Sequence, residues 1–248
     1  MSNRFATHVR VHCISAWLLA VLTPWAGAAE APRPVPIIGT EAEFSGHLMG
    51  ADCARWTTAG LTPDGVLLRT CQGYTIESSL EHDFNPMRLR DAAGKTLVEF
   101  KPFMPSLSFP LSVGKRWRGE YTGFTAFNNL VWDGETRCKV DAQETLKLAG
   151  SDYDTLRIEC DNGWHVGPRS GSTHVTRWYA PSIGTVVKEI HVRDPQRWNF
   201  ELTRFGLPAA VAPTAPAAAE TPIAPPVAPS PAPKHDPAAP GILDPNEY

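Results

Sequence analysis

Between residues 37 and 206 the chain breaks into short runs of alternating apolar and polar residues, and turn residues punctuate these runs at intervals of about ten. Alternate residues of a strand share a face, so a run of period two buries one side and leaves the other to solvent. No stretch carries the three-and-four apolar spacing of an amphipathic helix. Strands are expected at 41–48, 53–58, 66–72, 74–80, 87–90, 96–101, 116–125, 136–148, 155–164, 173–180, 185–192 and 197–205. Asp91-Ala92-Ala93-Gly94, Pro181-Ser182-Ile183-Gly184 and Asp194-Pro195-Gln196 supply the residues that tight reversals need. The pattern predicts an all-β domain, an antiparallel meander over 37–206. One apolar stretch, Pro102 to Pro110, holds too many prolines for a central strand and is expected to be a buried crossing segment.

Both ends differ from this middle. Arg4, His8 and Arg10 precede an apolar run from Val11 to Leu22, and Ala26-Gly27-Ala28-Ala29 follows it. That order is the pattern of a secretory signal peptide, expected over 1–29, with a short linker over 30–36. The apolar run falls short of the roughly 20 residues a membrane helix needs, so no transmembrane segment is expected after cleavage. At the other end, half of the chain's 24 prolines lie beyond Leu207, interleaved with alanine. Such a chain buries too little surface to offset its ordering entropy, and a disordered, extended tail is expected over 207–248. The formal net charge is -3, and loss of Arg4 and Arg10 makes it more negative, which argues against a nucleic-acid partner.

Without Cys13, inside the expected signal, four cysteines remain, and an even number in an exported chain points to disulfides. Four cysteines allow three pairings. Thr62-Pro63-Asp64-Gly65 lies near the midpoint between Cys53 and Cys71, and Ala149-Gly150-Ser151-Asp152 lies near the midpoint between Cys138 and Cys160. Hairpins about those turns bring each pair together, so Cys53–Cys71 and Cys138–Cys160 are expected. A four-cysteine zinc site would need a Cys-x-x-Cys pair, and the sequence has none.

Three segments carry a resemblance: Phe109-Pro110-Leu111-Ser112-Val113-Gly114-Lys115-Arg116-Trp117, Ala149 to Glu159 with Tyr153-Asp154 at its centre, and Trp178-Tyr179-Ala180-Pro181-Ser182-Ile183-Gly184. Together the region resembles a family of exported bacterial β proteins of unknown function. The resemblance implies a strongly curved antiparallel sheet or half-barrel, similar to that of periplasmic lipoprotein carriers, with a two-sheet sandwich as the alternative. It implies no reaction. The Cys138 and Cys160 pair departs from the family pattern.

Residues with catalytic potential are sparse. Gly94-Lys95-Thr96 lacks the earlier glycine of a phosphate-binding loop, and neither Gly-x-Ser-x-Gly nor His-Glu-x-x-His occurs. Centring two hairpins on 168–171 and 181–184 sets His165 opposite His174 and His174 opposite His191, a row that could share a metal. Trp117, Trp164, Trp178 and Trp198 are candidates to line an apolar groove on a concave face. No cofactor is expected, and binding is expected rather than catalysis. The leading expectation is a periplasmic or secreted binding module for an apolar small molecule or lipid. An envelope structural protein that holds a protein partner through its tail is the alternative, and a metal-dependent hydrolase the third.

Overall fold

The computed structural model describes residues 30–208. The expected signal segment and the Pro/Ala-rich extension from residue 209 lie outside the described residues. Twelve strands follow one another: β1 (Glu41–Phe44), β2 (Arg55–Leu61), β3 (Val66–Cys71), β4 (Tyr74–Ser79), β5 (Asn85–Arg90), β6 (Thr96–Lys101), β7 (Arg116–Thr125), β8 (Leu130–Leu148), β9 (Ser151–Val166), β10 (Arg169–Ala180), β11 (Thr185–Arg193) and β12 (Gln196–Gly206). Each pairs antiparallel with its sequence neighbours. β1 also pairs with β12, Glu41 opposite Gly206 and Phe44 opposite Leu202, which closes the sheet into a barrel. The all-β meander is thus the observed fold, with its curvature carried through to closure. A two-sheet sandwich does not form, because the first and last strands meet edge to edge.

Period two sets the inside and outside of the wall. In β8, Trp132, Gly134, Thr136, Cys138 and Val140 are buried while Val131, Asp133 and Arg137 are exposed. On the outer side Glu77, Arg88 and Glu99 stand opposite one another on β4, β5 and β6, and Arg88 bonds both carboxylates at 2.8 Å. Such pairs contribute only about 0.2–1 kcal/mol each, but a slip of one residue would turn these charges inward.

Both disulfides join the pairs chosen by spacing, Cys53 with Cys71 and Cys138 with Cys160. Cys138 and Cys160 are direct partners across β8 and β9, and both are buried. Each bond closes a loop of about 20 residues, which contributes roughly 3 kcal/mol on the chain-entropy model.

Part of the interior is filled by aromatic rings laid over glycines on neighbouring strands. Trp132 covers Gly123, Tyr121 covers Gly134 and Trp164 covers Gly171, each the glycine's cross-strand partner. Phe100 meets the Tyr121 and Trp132 rings edge-on. The rest is filled by the segment from Pro102 to Leu111, in which Met104, Ser106 and Leu111 are buried. Met104 joins the aromatic cluster, whereas Leu111 joins a second cluster around Val140, Ile158 and the Cys138–Cys160 bond. The segment therefore crosses the barrel interior. Its backbone is satisfied by Asn85, whose side chain accepts from the Ser106 and Leu107 N–H groups and donates to the Leu107 carbonyl. Trp117 Nε1 donates to the Pro105 carbonyl at 3.1 Å.

A Cβ added at Gly123 would land within the Trp132 ring, whereas one at Gly60 meets nothing within 4 Å. Gly123→Ala should cost about 1–3 kcal/mol in urea unfolding, and Gly60→Ala should stay within about 0.5 kcal/mol of the parent. Equal midpoints for the two variants would mean that the Trp132 ring is not held as described.

Candidate functional site

The crossing segment leaves part of the barrel unfilled. A cavity of about 470 Å³ remains, bounded by inward residues of β1 to β4 and β10 to β12 and by Met104, Leu107 and Phe109 of the segment. This volume lies in the range of pockets that hold one small ligand, about 300–1,000 Å³. Phe44, Trp56, Leu67, Ile76 and Phe100 make most of its wall apolar, and all five are buried. At the mouth the lining passes to Val35, Ile37 and Leu207, which are 86%, 53% and 64% exposed. Residues 34–37 are held there by an isolated bridge between Ala31 and Leu111 and by the Gly39 N–H donating to the Thr58 carbonyl.

The wall also carries polar groups. Arg177, Glu189 and His191 are buried on adjacent strands, with Arg177 directly opposite Glu189. Arg177 Nε donates to Glu189 Oε2, and His191 Nε2 bonds Glu189 Oε1 while its ring stacks on Trp198. Burial alone would raise the Glu189 carboxyl, but the charges of Arg177 and then His191 outweigh it and hold the group down at about 2. Arg69 is different. It extends from β3 into the cavity lining, and its side chain makes no hydrogen bond or ion pair to any described residue. Burial pulls its guanidinium below the ordinary arginine value, and no carboxylate offsets the effect. Trp56, Ser78, Tyr179 and His191 also line the cavity, and each has a buried polar atom (Nε1, Oγ, Oη and Nδ1) without a partner. Burial pushes the Tyr179 phenol up, so it stays a neutral donor.

The expected histidine row does not form. The β9–β10 reversal is centred two residues earlier than 168–171, with Val166 paired to Arg169, so His165 faces Ser170. His165 instead lies 3.3 Å from Asp133. Near their connection β10 and β11 keep the expected register, but a bulge at Trp178/Tyr179 inserts one residue. Beyond it, His174 faces Val192, and His191 faces Val175 on the inner side. His174 stays outside, 2.9 Å from both Asp161 and Glu159, and the Asp161 hydrogen bond raises its imidazole above the ordinary value. No group of three or more metal-ligating side chains occurs among the described residues.

Of the four tryptophans singled out, only Trp198 lines the cavity. Trp117 packs beside the Leu111 cluster, and Trp164 lies over Gly171 in a separate depression with Tyr121 and His165. Trp178 bonds Glu144 and lies under Lys188. Sequence reasoning missed Arg69, Arg177 and Tyr179. Parity held a signal for the charged ones: Arg69 shares a face with Leu67 and Cys71, and Arg177 with Val175 and Tyr179.

No family model matches the chain, and no curated protein does. Among solved structures, the hypothetical lipoprotein YmcC from Escherichia coli aligns at 11% identity and a TM-score of 0.43, over 71% of this chain and 89% of that one. A protein from Bacteroides fragilis described as exported, with a YmcC-like fold, aligns at 13% identity and a TM-score of 0.42, over 72% of this chain and 100% of that one. A protein from Parabacteroides distasonis described as a lipoprotein aligns at 9% identity and a TM-score of 0.42, over 71% and 97%.

Because the folded Glu189 carboxyl lies below its ordinary 4.5, its contribution to stability is full above pH 4.5 and is lost as pH falls from there towards 2. Glu189→Gln leaves Arg177 buried without its counter-charge and should cost about 3–5 kcal/mol at pH 7. The variant should also lose stability less steeply than the parent between pH 4.5 and 2. Urea midpoints across that range check both, and an unchanged acid slope in the variant would refute the assignment.

Proposed function

We propose that the protein is an exported binding module that takes an apolar small molecule into the barrel cavity. The observation that carries this reading is the cavity itself: about 470 Å³, apolar on most of its wall and bordered by exposed apolar residues at its mouth. Closed protein interiors are packed to the density of organic crystals, so a void of this size inside one domain is not ordinary packing slack. The signal-like N-terminus and the two disulfides support placement outside the cytoplasm, where such bonds persist. The chemistry of the lining favours retention over transformation. Glu189, the lining carboxylate among the described residues, is engaged at both oxygens.

A neutral fluorescent probe, N-phenyl-1-naphthylamine, should bind the oxidised protein with one-to-one stoichiometry. Ile76→Trp places a large ring in the lumen and should weaken uptake at least about tenfold while leaving the β-sheet circular dichroism intact. Absence of uptake by the parent, or full uptake by a folded Ile76→Trp variant, would rule out the cavity as the binding site.

A further inference from the structure

We infer that the ligand is an amphiphile whose anionic head group, a carboxylate or phosphate, is bound by Arg69 inside the cavity, with its apolar body against the aromatic wall. The inference rests on the binding role proposed above and adds the chemical class of what is bound.

A guanidinium has five N–H donors and stays charged at any physiological pH. Taking it out of water without a partner is among the costlier things a fold can do. Arg69 bears part of that cost: the residue is half-buried and lines the cavity, its Nε is enclosed without a partner, and no ion pair offsets its charge. Its cross-strand neighbours on the inner face are Thr58 and Ile76, neither of them charged.

The rest of the wall holds no counter-charge in reserve. The cavity's one lining carboxylate among the described residues is Glu189, and its two oxygens are taken by Arg177 and His191. Arg69 is therefore a cation with no counter-charge of its own, facing a mostly apolar space. Further donors stand next to it. Trp56 lies two residues before Thr58 on β2 and Ser78 two after Ile76 on β4, so both are diagonal neighbours of Arg69 on the inner face. Trp56 Nε1 and Ser78 Oγ are likewise unpartnered. An arginine fork flanked by an indole N–H and a hydroxyl suits a planar carboxylate or a phosphate, whose oxygens accept several charge-assisted bonds at once.

Displacement of N-phenyl-1-naphthylamine by a matched series tests this on the full chain. Dodecanoate and dodecyl phosphate supply the two head groups, dodecanol the same body without charge, and acetate and inorganic phosphate the anions without a body. At least one charged amphiphile should bind about tenfold or more tightly than dodecanol, with neither small anion competing at the same concentration. The better head group then identifies carboxylate or phosphate. Arg69→Met should abolish the preference for a charged head group over dodecanol. Equal affinities for charged and uncharged chains, or a preference that survives Arg69→Met, overturns the inference and leaves the binding reading standing. Failure of the parent to bind the probe at all removes both.

Discussion

Closing twelve strands into one barrel encloses more space than their own inward side chains fill. Barrels of about eight strands are just wide enough for side chains to meet across the axis, and wider ones need a plug or keep a lumen. Here both happen. The β1–β12 pairing fixes the circumference, and the chain then supplies its own filling from the connection between β6 and β7. The unusual composition of 102–111 follows from that task. The segment must be apolar to sit inside, yet its backbone cannot join a ladder, so prolines reduce the donors to be satisfied and Asn85 takes two of those that remain.

The filling is uneven, and the barrel divides accordingly. Around β6 to β10 the lumen is dense, with rings laid on glycines and Leu111 driven against the Cys138–Cys160 bond. Toward β1 to β4 and the mouth end of β10 to β12 it is open. On the open side β1 to β4 run only four to seven residues, whereas the dense side has strands of up to nineteen. A cavity wall made of short strands forgoes packing contacts that would otherwise hold it. Cys53–Cys71 ties the approach to β2 to the end of β3 on that side, where a covalent link replaces part of the missing packing.

Much of this was legible in the sequence, and the failures have a common cause. Period two located all the strands, and turn midpoints located both disulfides, because these are local properties. Closure was not legible: the pairing of Phe44 with Leu202 joins residues from opposite ends of the domain, and no local pattern encodes it. A turn centred earlier than expected and one bulge defeated the histidine row. One inserted residue at Trp178/Tyr179 carries His191 from the solvent face to the lumen, and centring a hairpin on its turn gives no warning of it. Arg69 could have been found by parity, since it falls on the same face as Leu67 and Cys71, but a charge within an apolar alternation reads as noise until the face is known to be enclosed.

The placement of the unpaired polar atoms separates a lumen that is merely unfilled from one shaped around a ligand. Native interiors leave few buried polar side-chain atoms without a partner, because each costs about 1–3 kcal/mol. In this barrel Trp56, Arg69, Ser78, Tyr179 and His191, all of which line the one cavity, leave such atoms. A purely structural lumen would lower its free energy by exchanging Arg69 for methionine and Ser78 for alanine, changes the apolar surroundings accommodate. Arg177 shows that the fold can neutralise a buried guanidinium when it has only itself to satisfy, since Glu189 is set directly opposite. The contrast between a compensated arginine and an uncompensated one around the same cavity is accounted for if the second has its partner supplied from outside the chain.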